Sequence, residues 1–176
     1  MGCGIMICGL NGCGKSTLGK ALADKLGFHF IDNENLFFER NAPNDPYSSP
    51  RSEEEAIECL MSEVKEHENF VFAAVTGDYG TEILPLYNYI VEIKVPKDVR
   101  MERVRARSFM KFGDRMLPGG DLYEAEESFF SFVEARPEDR VEKWTALFDC
   151  PTITIDGTKS IEENVNCIME FMRINI

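Results

Sequence analysis

Nine consecutive residues, Gly9-Leu10-Asn11-Gly12-Cys13-Gly14-Lys15-Ser16-Thr17, carry the most specific chemistry in the chain. They fit the pattern Gly, four residues, Gly-Lys-Ser/Thr. Backbone stripped of bulky side chains can wrap a string of anionic oxygens with consecutive N–H groups, and a following helix N-terminus adds its dipole. Lys15 supplies a point charge for the β- and γ-phosphates of a triphosphate. The Ser16 hydroxyl is placed to ligate a magnesium ion bridging the same oxygens. Asn11, Gly12, Cys13, Gly14, Lys15, Ser16 and Thr17 are therefore the expected contacts to a nucleotide.

Acids that could act beside such a group come next. Asp32 and Glu34 follow a short apolar run, where open parallel sheets place their ligands. They are candidates for holding a metal-bound water, orienting an acceptor hydroxyl or taking its proton. The plain alternative is an acidic turn or helix cap. Asp78 follows another apolar run and is a second candidate acid for magnesium, while Gly77 and Gly80 leave room for substrate near the backbone. Arg51 is a candidate anion contact for the substrate.

Cations are concentrated farther on. Arg100, Arg103, Arg107 and Lys111 recur at spacings of three, four and four, on one face of a helix, with Arg105 and Arg115 nearby. A transferring phosphoryl group would supply their counter-charge, and Arg103, Arg107 and Arg115 are the candidates to stabilise it. A solvated face paired with Glu102 and its neighbours is the alternative. Arg136 and Arg140 are close enough in sequence to join the same anion site.

The elements that must position these groups are legible in outline. Residues 5–8 are wholly apolar and suit a buried parallel strand, and residues 15–26 carry Leu18, Ala21, Leu22 and Leu26 at helical spacing. Further strands are expected at 28–31, 70–75, 89–95 and 151–155. Residues 39–52, with Pro43, Pro46 and Pro50, read as a loop. A helix over 52–67 has a Ser52/Glu55 capping box, and Ser160 with Glu163 caps the last helix. Between them, a helix is expected over 121–133 capped by Asp121 and Glu124, and another from Pro137 to Phe148. Phe129, Phe130, Phe132, Val133 and Trp144 are expected to pack. Gly113, Pro118, Gly119 and Gly120 make the segment at about 111–137 a hinged lid candidate.

With 176 residues, 44% of them apolar, one domain spanning residues 1–176 is expected. The net charge of −12 argues against a nucleic-acid partner. Six scattered cysteines form no Cys-x-x-Cys pair, and no apolar run reaches the ~20 residues of a membrane span. A cytoplasmic protein without membrane contact, monomer or homodimer, acting on a small molecule, is the expectation.

The loop at Gly9 to Thr17, followed by strand–helix units to the end of the chain, resembles the nucleoside and nucleotide kinase-like branch of the phosphate-loop proteins. That group holds adenylate kinase, shikimate kinase and small antibiotic phosphotransferases. Asp32 and Glu34 are similar to the acids after strand two in shikimate kinase, and Arg103, Arg107 and Arg115 are placed like the group's lid arginines. The resemblance implies a three-layer α/β fold with a five-stranded parallel sheet in the order 2-3-1-4-5 and a small lid. It further implies ATP with Mg2+ as donor, and Gly157 and Thr158 bordering the base. Adenylate kinase's Asp-Gly-Phe/Tyr-Pro-Arg is replaced by Thr76-Gly77-Asp78-Tyr79-Gly80, and shikimate kinase's glycine triplet is missing. The acceptor is left open. Two functions are compatible: a small-molecule kinase, and a module in which ATP orders the flap for a protein partner.

Overall fold

The computed structural model describes residues 2–38 and 50–174. Its strands are β1 (Gly4–Cys8), β2 (His29–Asp32), β3 (Phe70–Ala74), β4 (Tyr87–Lys94) and β5 (Thr152–Asp156). They form one sheet in the order β2-β3-β1-β4-β5, with every pairing parallel. This is the expected three-layer α/β arrangement. All five residues of β1 are buried, because a central parallel strand is covered on both faces.

Alternation along β1 divides the interior. Met6 and Cys8 join Phe70, Phe72, Ala74 and Ile90 on one face, under α3 (Glu53–Glu66) and α6 (Arg140–Thr145). Ile5 and Ile7 join Val71, Tyr89 and Val91 on the other, under α1 (Lys15–Leu26) and α7 (Ile161–Ile174). In α1 the buried residues Leu18, Leu22 and Ala23 recur at helical spacing. Fully burying a side chain such as Leu22 contributes about 2 kcal/mol.

Helix ends follow the capping chemistry. Ser52 Oγ accepts the Glu55 N–H at 3.2 Å, and Glu55 accepts the Ser52 N–H at 2.8 Å. The same reciprocal pair joins Ser160 and Glu163, at 3.2 and 3.1 Å. Both boxes agree with the sequence reading.

A third, smaller core lies outside the sheet. Val104 of α4 (Lys97–Phe112) and Phe130 and Val133 of α5 (Tyr123–Glu134) enclose Met116, which belongs to the 3-10 turn Gly113–Met116. The segment expected as a lid therefore packs on α4 through its own apolar cluster.

Several local expectations are corrected here. Asp121 and Glu124 do not cap α5, whose N-cap is Leu122 with no side-chain bond. Asp121 instead accepts two bonds from Arg115, at 3.0 and 2.7 Å, a two-pronged charged contact, and the guanidinium holds its carboxyl below the usual carboxylate range. The helix from Pro137 shrinks to α6, with Pro137 left in a turn whose carbonyl accepts the Arg140 N–H at 3.2 Å. Phe132 stays 61% exposed rather than packing with Phe130.

One element was foreseen only in the alternative reading of Asp32 as a helix cap. α2 (Asn33–Phe37) is a turn and a half of helix, too short to show a hydrophobic period. Asp32 is its N-cap and accepts the Glu34 N–H at 3.0 Å. Of the loop expected over 39–52, residues 39–49 lie outside the described residues, and Pro50 bridges Phe38. Among the described residues no helix is long and apolar enough to cross a membrane.

Candidate active site

The loop between β1 and α1 is held in shape by its glycines and by α4. Gly12 has φ +84°, and a Cβ there would stand 2.3 Å from the Arg100 carbonyl oxygen, so only glycine lets the loop lie against the start of α4. Gly14, at φ +93°, is the left-handed N-cap of α1 and no side chain caps that helix. The first-turn N–H groups of α1 thus keep their donors and dipole for an anion. Lys15 Nζ meanwhile donates to the Leu10 carbonyl at 3.2 Å, folded back on its own loop. Cys13 is buried, its N–H donates to the Leu10 carbonyl at 3.3 Å, and its sulfur packs beside Gly9 and accepts from Lys15 Nζ at 4.0 Å.

Beside the loop opens a cleft of about 630 Å³. Asn11, Lys15 and Ser16 form its floor, and Asp32, Asn33 and Glu34, at the β2–α2 junction, one wall. Arg107, Ser108, Lys111 and Phe112 of α4 face them, with Glu126 and Phe129 of α5. Phe37 and Phe38 complete the lining beside Asp32, and Ala73, Ala74 and Val75 bring in the end of β3. Six candidates, Asn11, Lys15, Ser16, Asp32, Glu34 and Arg107, therefore meet in one cavity. Asp32 both caps α2 and lines the cleft, so the cap does not take it out of the cavity.

Other candidates lie elsewhere. Asp78 is exposed and outside the cleft lining. Gly77 is buried beneath Trp144, where a Cβ would come within 2.9 Å of the indole ring and of the Tyr87 hydroxyl. Its bareness serves packing rather than substrate approach. Arg51 donates to the carbonyls of Asn35 and Leu36 at 3.2 and 3.1 Å, at the end of α2. Arg115 is drawn to Asp121.

Arg103 reaches the loop after β5, donating to the Gly157 carbonyl at 3.1 Å. Thr158 lines a second cavity, of about 610 Å³, with Leu10, Val95, Arg100 and Asp156. The arginine stripe on α4 is therefore split by depth: Arg103 faces the β5 loop, Arg107 and Lys111 face the cleft, and Arg100 is structural.

Arg100 is 3% exposed, and its guanidinium joins four segments. It donates to Val95 O at 3.1 Å, Asn11 O at 3.4 Å and both Glu138 oxygens at 2.6 and 2.7 Å. Two residues before Glu138, Arg136 donates to Asn11 Oδ1 at 3.0 Å and lies over the Phe132 ring. Burial, with Arg140 nearby, pulls the Arg136 guanidinium down from its ordinary value. Arg136, expected near the anion site only from its closeness in sequence, stands at the phosphate loop. Glu126 and the Tyr79 hydroxyl, which donates to Asn33 Oδ1, had no sequence signal. Neither belongs to a motif, and each reaches its place by tertiary packing alone.

An AAA domain model matches residues 5–128, more than half of the chain. The chain belongs to this family. Protein YqaC of Bacillus subtilis (strain 168) is 27% identical to this AAA-domain chain over 179 residues, covering 97% of it and 98% of the relative. An adenylate kinase isoenzyme 6 homologue of Caenorhabditis elegans is 26% identical over 177 residues, covering 94% and 87%. Shikimate kinase from Bacteroides thetaiotaomicron superposes with TM-score 0.59 at 20% identity, over 98% of this chain and 99% of that one. The AAA-domain chain is thus a small phosphate-loop protein with the fold of the nucleoside and nucleotide kinase-like group.

Proposed function

We propose that this protein is a small-molecule kinase that transfers the γ-phosphoryl group of ATP to a hydroxyl of its acceptor. The observation that carries this reading is the opening of the uncapped α1 N-terminus, with Lys15 and Ser16, into the same cleft as Asp32 and Arg107. In a site that only binds nucleotide a carboxylate there would do no more than hold magnesium; transfer to a hydroxyl also uses one to orient the acceptor.

The roles follow from position. Backbone N–H groups from Asn11 to Thr17 hold the phosphates, and Lys15 swings from the Leu10 carbonyl to the β- and γ-oxygens. Asp32 orients the acceptor hydroxyl and takes its proton as the new P–O bond forms. Arg107, with Arg136 held beside Asn11, stabilises the charge spread over the transferring group. Gly157 and Thr158, held to α4 through Arg103, border the base. Arg115 keeps a role only if the segment carrying it moves, since its present partner is Asp121.

Among the described residues no group of three His, Cys, Asp or Glu forms a metal cage. That suits magnesium, which takes few protein ligands and the rest from phosphate and water. Ser16 and Asp32 would hold it, and it would neutralise charge on the phosphate oxygens; exposed Asp78 fits less well.

The test is calorimetry with ATP and magnesium, followed by ADP release with nucleosides, nucleoside monophosphates, sugars and hydroxy acids. Turnover that depends on one acceptor class supports the kinase. Tight ATP binding with no ADP above background for any acceptor would instead favour the ATP-responsive module, and no ATP binding would defeat both.

A further inference from the structure

The second cavity, of about 610 Å³, holds a carboxylate that phosphotransfer does not use. Residues Tyr89–Ile93 of β4 are all buried, as suits an inner parallel strand, yet one of them is Glu92, its side chain 7% exposed. A buried carboxylate is costly unless donors surround it, and it can accept about four hydrogen bonds. Among the described residues Glu92 accepts one. Thr154, its register partner on β5, donates to Oε2 at 3.1 Å. Lys94 Nζ stands 3.7 Å from Oε1, outside hydrogen-bond range, and donates instead to Glu142 at 3.2 Å. The opening exists because α6, six residues long, lies against β4 and leaves Thr154 and Asp156 of β5 exposed.

The charge lining the cavity leans the same way. Glu92, Glu138, Glu142 and Asp156 are set against Lys94 and Arg100, four acids against two cations. Arg100 is taken by Glu138, and Asp156 by the N–H and hydroxyl of Thr158, at 2.8 and 2.6 Å. Glu92 lies deep, whereas Glu142, 68% exposed, stands at the mouth. Between them the walls are aliphatic, from Leu10, Val95, Val141 and Ile155. Among the described residues no aromatic ring lines the cavity and no three acids converge on one point as a metal cage would. Such a lining suits neither a flat base nor a bare metal ion. It suits an amine at the floor, methylene groups along the walls and a second amine at the mouth.

We propose that this cavity binds a linear aliphatic diamine or polyamine, one ammonium group donating to Glu92 Oε1 and another lying beside Glu142. Leu10 belongs to the phosphate loop, and Arg100, which donates to the Asn11 carbonyl, shares the cavity. Positive charge placed there raises the potential at the loop, so the amine and a triphosphate favour each other's binding. This is an effector site, independent of the acceptor and of phosphotransfer itself.

The test is binding of defined amines to the full chain. Calorimetry at low ionic strength compares putrescine, cadaverine and spermidine with butylamine, which carries a single amine. At least one of the first three should bind about tenfold or more tightly than butylamine. Glu92→Gln keeps the size of the side chain and an acceptor for Thr154, and should weaken that amine about 10- to 100-fold. Glu142→Gln, at an exposed position where folding is not at risk, should bring it to within about threefold of butylamine. Glu170→Gln, on the exposed face of α7, controls for general attraction of amines to a chain of net charge −12 and should change nothing. The proposal is overturned if no amine binds, if butylamine binds as tightly as the rest, or if Glu170→Gln weakens binding as much as Glu92→Gln.

A non-hydrolysable ATP analogue with magnesium is then titrated with and without saturating amine. Its affinity should rise about fivefold or more in the presence of the amine. Unchanged or weaker affinity overturns the effector site, the weaker case because the amine would then occupy the nucleotide's own place. The kinase reading rests on ADP release and is touched by none of these outcomes.

Discussion

The two sides of the cleft are built of different materials. From Gly9 to Thr17 the wall is backbone, shaped by Gly12 and Gly14 at positive φ and braced from behind by the buried Arg100. Across from it, Asp32, Glu34, Phe37, Arg107, Phe112, Glu126 and Phe129 meet the cleft as side chains, carried by three helices and a strand end. A backbone wall can recognise only what every triphosphate shares, the anionic oxygens. A side-chain wall can change its ligand by changing residues without disturbing the sheet. On the proposed kinase reading the common donor belongs to the first wall and the selective acceptor to the second, and substitutions on each should fail in different ways.

The largest effect is expected on the backbone wall. Lys15→Ala leaves the loop's glycines in place but removes the charge that follows the phosphates, and turnover should fall on the order of 10³-fold. Steady-state kinetics with saturating ATP checks this; activity within tenfold of wild type would break the assignment of donor and acceptor walls. Asp32→Asn should follow, with a loss of about 10²- to 10³-fold in kcat and a modest loss of ATP affinity. Asparagine caps a helix as well as aspartate does, so α2 should persist and the loss reflect chemistry rather than unfolding. Equal losses in ATP affinity and kcat would erase the distinction between the walls.

How much of each wall could be read beforehand follows from the same contrast. The backbone wall is contiguous, so its glycines, Lys15 and Ser16 stand in order along the chain, and the strands and helices beside them show clear periods. The sheet order came with the resemblance. Asp32, Glu34 and Arg107 were legible because each sits at a place where such folds put chemistry: the end of a strand, or a face of regular cation spacing. Glu126 and Tyr79 were not, since nothing local distinguishes a glutamate on an acidic helix, or a tyrosine in a turn, from its neighbours. Arg100 misled for a related reason. Spacing placed it on the same face as Arg103 and Arg107, but it lies one turn nearer the sheet, where Glu138 and the backbone carbonyls of Val95 and Asn11 enclose it. Periodicity gives direction around a helix and says nothing about depth along it.

That enclosure makes a third, smaller prediction. Glu138→Ala leaves the Arg100 guanidinium buried without its carboxylate, which should cost about 2 kcal/mol, below the usual value for a buried pair because Glu138 itself is 57% exposed. Urea unfolding measures it. If the bracing role is right, ATP affinity should weaken as well, since Asn11 loses the support of Arg100 and Arg136; acceptor affinity should not move. Unchanged stability would show that Arg100 braces the loop through its backbone bonds alone.

The smallest effect belongs to the side-chain wall. The Tyr79 hydroxyl donates to Asn33, and Asn33 lines the cleft between Asp32 and Glu34, so this bond fixes a wall residue without itself touching substrate. Tyr79→Phe keeps the ring that packs edge-on against Phe72, 5.3 Å between centroids, and removes only the donor. The acceptor KM should rise about fivefold, the equivalent of ~1 kcal/mol, with ATP affinity unchanged. Burial, with the charge of Asp78 close by, pushes the phenol above its ordinary value, so the O–H stays a donor through the alkaline range. The wild-type acceptor KM should therefore show no step near pH 10 from this group. A step there, or a Tyr79→Phe effect on ATP rather than on the acceptor, would mean that the two walls are coupled through α2 and do not select their substrates separately.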